Sequence, residues 1–273
     1  MQRVLQKISY VMGTVGLILC FVAAGLGMCC IPSVTEALSN EYADEANSPF
    51  NRAQLVKGAV ACADYTMLSH DLESLMSTIR AMNKAIDSPY AFYTDEEFLG
   101  APNSYALDEN SISHLDDCFD VVKGVRIAVI VALALVLLGL IGSRIFGGRH
   151  GFGKVLAFAG CITLGIFACL GIFALFNFDG FFDVFHSLFF EEGSWRFPKD
   201  SLLICMLPLN FWMGMGVIWI CTTSLLCIAA LIWGFVWMRS NRKIVWVRHD
   251  YRDDEPKKRS SSSSKTASRQ RKR

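Results

Sequence analysis

Charged residues are few in this sequence, and neither sign is in excess. Of the 273 residues, 19% are Asp, Glu, Lys or Arg, and the formal net charge at pH 7 is +1. Proteins that bind nucleic acid usually present a strongly basic surface, so we expect no nucleic-acid partner. Alternation of apolar and polar residues is also too weak to indicate a sheet, which favours an all-α protein.

Three motifs that would define a familiar active site are missing or incomplete. There is no Gly-x-Ser-x-Gly sequence for a serine nucleophile and no His-Glu-x-x-His or His-x-x-Glu-His pair for a zinc centre. The segment from Gly148 to Lys154 begins like a phosphate-binding loop, but Val155 replaces the Ser or Thr that would bind magnesium. We interpret it as a flexible basic turn, and we predict no cofactor and no metal.

Long apolar segments are abundant, and 53% of the residues are hydrophobic. Four segments are long enough to cross a bilayer, which takes about 20 residues of helix. The first is too long for a signal peptide and lacks a small-x-small cleavage site, so we interpret it as a retained anchor. The sequence therefore predicts an all-α membrane protein with four transmembrane helices and a small helical extracytoplasmic cap. The predicted spans are Tyr10–Ile31, Ile127–Ile145, Val155–Phe176 and Met213–Met238.

The charges that flank these spans predict their orientation. Sixteen acidic and six basic residues lie between the first two spans, whereas the turn between spans two and three is basic. The positive-inside rule places both termini and that turn in the cytoplasm. The chain then divides into a first anchor at 1–31, a cap at 32–126, spans two to four at 127–238 with an outer interfacial loop at 177–212, and a disordered basic cytoplasmic tail at 239–273.

Local patterns predict the elements of the two outer segments. Residues 32–49 are predicted to be a loop, and Asn51–Ile86 follows with helical spacing of its apolar residues. A second helix is predicted to start near Ser111 and to lead into span two. In the later segment we predict a short surface helix at 181–190, a loop at 191–200 and an apolar stretch at 201–207 that is too short to span.

Two of the five histidines are distinguished by their positions. His114 and His186 fall in the predicted outer segments, and a carboxylate lies three residues from each, Asp117 and Asp183 respectively. Histidine can give or accept a proton near neutrality, and a carboxylate on the other ring nitrogen would fix its tautomer. The pattern favours a proton-transfer pair. Two unrelated surface histidines, or a zinc site of two His and two Asp, are the alternatives.

The surroundings of His186 are rich in aromatic residues. The stretch 183–212 mixes phenylalanine and tryptophan with carboxylates, as is typical of the boundary between hydrocarbon and water. An ionisable side chain beside such rings indicates a site for chemistry on lipid, the alternative being an interfacial anchor. The remaining histidines are assigned no catalytic role; they are His70, His150 and His249.

Most of the ten cysteines lie inside predicted spans, where cysteine behaves as a small apolar residue. Cys62 and Cys118 are the ones well inside the outer segment. Our hypothesis is that they form a disulfide if that side of the membrane is oxidising.

Two motifs resemble those of one family. The first is HLDD at residues 114–117, and the second is FHSLFFEEGSWRFPKDSL at residues 185–202, continued by Pro208-x-x-Phe211-Trp212. They are similar to the motifs of the bacterial lipoprotein intramolecular transacylase (Lit) family of integral membrane proteins. The chain departs from the first motif at Cys118, where the family usually has valine.

The resemblance implies a specific reaction. An acyl chain would move from the sn-2 position of a diacylglyceryl-cysteine to the free α-amine of the same lipoprotein, giving an N-acyl lyso-form lipoprotein. The implied partners are diacylglyceryl-modified lipoproteins and membrane phospholipid. The implied location is the bacterial cytoplasmic membrane, with the active site on the extracytoplasmic side.

The resemblance also assigns roles to residues. His114 and His186 would be the catalytic pair. Supporting or substrate-binding roles would fall to Asp117, Asp183, Trp195 and Asp200. Two other classes stay open at this point: a non-enzymatic membrane scaffold or channel, and a zinc-dependent membrane hydrolase that uses the same histidines.

Overall fold

The computed structural model describes the backbone of residues 1–253 and the side chains up to Arg239, apart from Asp95. Every regular element in this part is helical, which confirms the all-α prediction. A π-helical turn, Tyr65–Ser69, follows α3, and a 3-10 turn, Pro89–Phe92, follows α4. The α-helices are α1 (Gln2–Cys29), α2 (Pro32–Tyr42), α3 (Arg52–Asp64), α4 (Leu72–Ala85), α5 (Asp95–Leu99), α6 (Glu109–Phe176), α7 (Phe178–Ser187), α8 (Leu202–Met206) and α9 (Leu209–Asp253).

Three described helices are long and apolar enough to cross a membrane: α1, α6 and α9 up to Arg239. The backbone of α6 departs from helical geometry at Gly148, where φ is 60° and ψ is −156°, a conformation that favours glycine. A Cβ atom built on Gly13 of α1 would lie 3.0 Å from Val155 and 3.2 Å from Gly139, on opposite sides of that break. Thus α6 is a hairpin whose two arms both pack against α1.

Small residues allow these helices to approach closely. A Cβ atom on Gly139 would lie 2.1 Å from the backbone nitrogen of Gly13, and one on Gly160 would lie 2.8 Å from the carbonyl oxygen of Cys227 in α9. Between helices in lipid, small residues permit backbone contact that larger side chains would prevent. As a result, α1, both arms of α6 and α9 form one bundle.

The two predicted outer segments pack together into a second compact part of the protein. The first segment connects α1 to α6, and the second connects α6 to α9. The fully buried core of this part joins Leu55 and Ile79 of the first segment to Met206 of the second. The backbone N–H of Leu202 donates a hydrogen bond of 2.8 Å to the carbonyl oxygen of Asn103. Because the segments share a core and backbone hydrogen bonds, they constitute one cap.

Two local predictions for the cap are wrong. Residues 32–49, predicted to be a loop, contain α2, which starts at Pro32 because proline suits the first turn of a helix. The single helix predicted over residues 51–86 is interrupted at His70, whose φ of 51° is left-handed. Asp71 then caps α4 by accepting a hydrogen bond from a backbone N–H of its first turn.

The other predicted elements of the outer segments agree with the structure to within a few residues. The helix predicted from Ser111 is the start of α6, the helix predicted at 181–190 is α7, and the stretch at 201–207 contains α8. The tail predicted to be disordered from residue 239 begins as helix, since no Gly or Pro lies between Gly234 and Asp253 to stop α9. The rest of that predicted tail, 254–273, lies outside the described residues.

Candidate active site

Two helix ends bring the candidate catalytic histidines to the boundary between cap and bundle. Asp108 caps α6 by accepting a 2.9 Å hydrogen bond from the backbone N–H of Ser111, and His114 lies in the following turn. Asn177 caps α7 in the same way, and His186 lies in the last turn of that helix. The caps fix where each helix begins and therefore which face carries its histidine.

The rings of His114 and His186 lie beside each other, with centroids 6.4 Å apart and planes inclined at 28°. His186 is only 8% exposed, and His114 is half-buried. The prediction that the fold brings the two outer histidines close together is confirmed.

Aromatic rings enclose this pair. Phe190 meets His114 edge-to-face with ring centroids 4.9 Å apart. Phe182 lies 3.8 Å and Trp195 5.8 Å from His186, also between centroids. These rings supply an apolar environment with few groups able to stabilise a charge.

The environment keeps both imidazoles neutral. Burial, and then the nearby charge of His186, lowers the pKa of His114 to about 4. Burial also lowers the pKa of His186, against opposing effects of the Phe182 carbonyl and of Asp183. Neutral imidazole is the form that accepts a proton from an attacking nucleophile, so both rings are in a state suited to general base catalysis.

The nitrogens of the two rings have different partners. Nδ1 of His186 lies 2.8 Å from the carbonyl oxygen of Phe182. A carbonyl can only accept, so Nδ1 carries the proton and Nε2 keeps its lone pair. In His114, Nε2 lies 3.7 Å from Sγ of Cys118, and Nδ1 is buried without a hydrogen-bond partner among the described residues.

Asp183 does not hold His186 by a hydrogen bond. Its carboxylate accepts hydrogen bonds from Nε1 of Trp195 at 3.4 Å and from Nη2 of Arg196 at 3.2 Å. The Phe182 carbonyl therefore fixes the tautomer of His186, a role that the sequence had suggested for Asp183. Residue spacing does not reveal which backbone carbonyl will accept a hydrogen bond, so the Phe182 carbonyl could not be identified from the sequence.

Asp117 likewise makes no hydrogen bond with His114. Nε2 of that ring contacts Cys118, and Nδ1 has no partner among the described residues. The charge of Asp117 acts on Cys118 and contributes to raising the pKa of that thiol, after burial. The preceding residue, Asp116, does have a hydrogen-bond partner: its carboxylate accepts a hydrogen bond from the hydroxyl of Tyr65. That bond ties the π-helical turn of the cap to α6.

The other two predicted supporting residues differ in position. Trp195 is 6% exposed and forms one wall beside His186. Asp200 is exposed just before α8, where its charge acts on Cys205, and none of its described contacts reaches either histidine. The structure thus brings Trp195, but not Asp200, to the histidine pair.

His70 has partners that the sequence did not reveal. Its ring stacks between Phe119, 3.9 Å away with planes 4° apart, and Tyr65, 4.7 Å away, and its Nε2 lies 3.9 Å from Asp116. Left-handed backbone at His70 places the ring there. This stack links cap and bundle separately from the His114–His186 pair.

Both cysteines of the hypothesised disulfide are free thiols, which contradicts that hypothesis. Cys62 is buried in the cap core, whereas Cys118 faces His114. Among the described side chains, which end at Arg239 and leave out Asp95, no group of three or more His, Cys, Asp or Glu residues is placed to hold a metal ion. The zinc-hydrolase alternative therefore lacks a ligand set in the described part of the chain.

Fold and site together define the class: a membrane protein, helical throughout its described part, with a neutral and largely enclosed histidine pair beneath a helical cap. The sequence model of the family described as "Lipoprotein intramolecular transacylase Lit" matches residues 56–212, more than half of the chain. The chain belongs to this family of membrane acyltransferases, which carry out intramolecular transacylation of lipoproteins. The predicted family, enzyme class and lipoprotein substrate are confirmed.

Solved structures agree in fold. The chain is similar to the lipoprotein intramolecular transacylase Lit from Bacillus cereus, with a TM-score of 0.55 and 15% identity over 92% of this chain and 98% of that one. Two variants of the same protein, with a histidine replaced by arginine or by alanine, give TM-scores of 0.57 and 0.59 at 16% and 13% identity; each match covers 89% of this chain and 96% of the other. Curated proteins give no match.

Proposed function

We propose that this protein transfers the sn-2 acyl chain of a diacylglyceryl-modified lipoprotein to the α-amine of the same N-terminal cysteine, which gives an N-acyl lyso-form lipoprotein. The observation that carries the proposal is the pair of neutral imidazoles, His114 and His186, 6.4 Å apart within an aromatic enclosure. Family membership supports the lipoprotein substrate. The pair supports a reaction in which a proton leaves the amine, returns to the departing glycerol oxygen, and negative charge develops between these two steps.

The two histidines have different roles in this reaction. Nε2 of His186 is the general base, because its Nδ1–H is held by the Phe182 carbonyl and its lone pair is free. As the amine attacks the ester carbonyl, a C–N bond forms and the amine proton passes to this nitrogen. The C–O bond to glycerol then breaks, and the proton passes from Nε2 of His186 to the departing oxygen. His114 stabilises the carbonyl oxygen as negative charge develops on it.

The reaction depends more on the orientation of the substrate's amine and ester than on strong chemical activation of either group. Amine and ester belong to one molecule, and well-oriented intramolecular groups reach effective molarities of about 10⁵ M or more. Conversion of an ester to an amide is downhill, so we expect no cofactor. Phe182, Phe190 and Trp195 would exclude water and favour the folded-back substrate over hydrolysis.

The topology forms part of the proposal. The break at Gly148 lies among Arg144, Arg149 and Lys154, as expected of a turn on the cytoplasmic side. The two arms of α6 then cross separately, which makes four spans in total. Both termini would be cytoplasmic and the cap extracytoplasmic, so the histidine pair would lie where the outer leaflet offers lipid-anchored substrates beside membrane phospholipid.

Mass spectrometry of lipoprotein N-termini tests the proposal directly. Purified full-length protein in lipid is incubated with a diacylglyceryl lipoprotein that has a free amine. We expect a product of unchanged total mass in which the amine is acylated and the glycerol keeps one chain. Full conversion by the His186→Asn variant, or no conversion by the wild type in lipid, would refute the proposal.

A reporter fused after Arg273 tests the topology. Activity of the reporter only outside the cell would refute the proposed orientation.

A further inference from the structure

We propose that Cys118 is a positioning residue for this reaction. Its thiol donates a hydrogen bond to Nε2 of His114 and so keeps the proton of the neutral ring on Nδ1, the nitrogen left for the substrate. The assignment of a substrate to that nitrogen rests on the proposed function, whereas the tautomer itself does not.

The position of Cys118 on α6 suits this role. It lies four residues after His114, so the two side chains are neighbours on one face of the helix. Sγ and Nε2 are 3.7 Å apart, a distance suited to a hydrogen bond that involves sulfur. Because both residues belong to the same helix, the contact does not depend on how cap and bundle move.

The direction of this hydrogen bond follows from the two groups. Burial, and then the charge of Asp117, raises the pKa of the Cys118 thiol to about 12, so the sulfur keeps its proton. A thiol is a weak acceptor, whereas the unprotonated nitrogen of imidazole is a good one, so S–H donates to Nε2. A neutral ring that accepts at Nε2 carries its hydrogen on Nδ1.

Nδ1 of His114 is then a buried donor without a partner among the described residues. Buried donors in folded proteins nearly always have an acceptor, and an exception often marks a functional group. The missing acceptor is the ester carbonyl oxygen of the substrate, on which negative charge grows during attack. The pair is then complementary: His114 presents N–H to the carbonyl oxygen, and His186 presents a lone pair to the amine.

Nitrogen-15 NMR of the full-length protein in lipid nanodiscs measures the tautomer without any substrate. Histidine is labelled, and His114→Asn assigns the resonances of that ring. We expect protonated Nδ1 and unprotonated Nε2 in the wild type, and the same pattern in Cys118→Ser, whose hydroxyl can also donate. In Cys118→Val and Cys118→Ala, protonation of Nε2 should increase. The His186 ring serves as the internal control, since its Phe182 contact is unchanged in every variant.

Activity supplies the second measurement. The net contribution of one hydrogen bond corresponds to a change of up to about 10-fold in a rate. We expect Cys118→Val to lower kcat by up to roughly this factor with little change in KM, and Cys118→Ser to recover most of the loss. A wild-type His114 protonated on Nε2, or a tautomer unchanged in Cys118→Val and Cys118→Ala, would overturn the inference. A wild type without transacylation would overturn the proposed function, while the NMR result would still decide the tautomer.

Discussion

The carboxylate of Asp183 accepts a 3.4 Å hydrogen bond from Nε1 of Trp195, whose ring lies 5.8 Å from that of His186. Arg196 adds an ion pair of 3.2 Å to the same carboxylate. Asp183 therefore links the loop after α7 to the helix that carries His186, the proposed general base. It supports the site by holding Trp195 in place and by its charge near His186.

Substitutions of Asp183 should have modest effects if its role is to hold the wall. Asp183→Asn keeps an oxygen for Trp195 and loses an exposed ion pair worth about 0–1 kcal/mol, so kcat/KM should stay within about fivefold of the wild type. Asp183→Ala also loses the hydrogen bond, worth about 1 kcal/mol more. Arg196→Gln is the matched control and should resemble Asp183→Asn. A loss in Asp183→Ala as large as in His186→Asn would indicate a direct chemical role instead.

Removal of either proposed catalytic histidine should have a much larger effect. His114→Asn and His186→Asn each remove one member of the pair while preserving polarity. His186→Asn should lower kcat about 10²–10⁴-fold, the usual contribution of general acid–base catalysis. His114→Asn should lower it about 10²–10³-fold, the usual cost of losing a donor to the developing oxyanion. The double variant should lose far less than the product of the two, because the rings act as a unit. The assay is the rate of appearance of N-acyl lyso-lipoprotein, corrected for protein abundance.

His70→Asn is the control for that experiment. His70 has a left-handed backbone, which asparagine tolerates better than most residues, so the variant should fold. Its ring stacks on Phe119 and Tyr65 and has no described contact with the catalytic pair. We expect activity close to that of the wild type. An equal loss in all three single variants would show that the assay reports folding and not proton transfer.

The sequence was sufficient to predict the apolar helices, the histidine pair and the family, because periodicity, hydropathy and motif spacing carry that information. The contacts that set the chemistry were harder to predict. The tautomer of His186 depends on the backbone carbonyl of Phe182, and the interruption of the cap helix depends on the left-handed conformation of His70. Cys118 could have been found, since its spacing from His114 places it on the same helical face.

The pKa of His114 predicts how stability depends on pH. Unfolded histidine has a pKa near 6.5, and burial lowers that of folded His114 to about 4. Between these two pH values the unfolded chain binds a proton at His114 that the folded protein does not bind. The contribution of neutral His114 to stability is therefore fully present above pH 6.5 and is lost as the pH drops towards 4. At 1.36 kcal/mol per pKa unit, the loss is at most about 3 kcal/mol.

Thermal unfolding of the full-length protein in detergent, followed from pH 7 to pH 4, measures this effect. His114→Asn removes the titrating group, so its midpoint temperature should fall less steeply with acidification than that of the wild type. Burial lowers the pKa of His186 as well, so His186→Asn should change the slope in the same direction. Parallel curves for wild type and both variants would contradict the predicted burial of neutral imidazoles.

Two glycines of α6 provide a matched test of the bundle beneath the site. A Cβ atom on Gly139 would lie 2.1 Å from the backbone of Gly13, whereas one on Gly124 would meet nothing within 4 Å. Gly139→Ala should force α1 away and cost about 1–3 kcal/mol, as overpacking usually does. Gly124→Ala makes the same chemical change in open space and should stabilise by up to about 1 kcal/mol through helix propensity. Thermal midpoints compared in one detergent separate the two, and a stable Gly139→Ala protein would show that α1 and α6 are not in backbone contact.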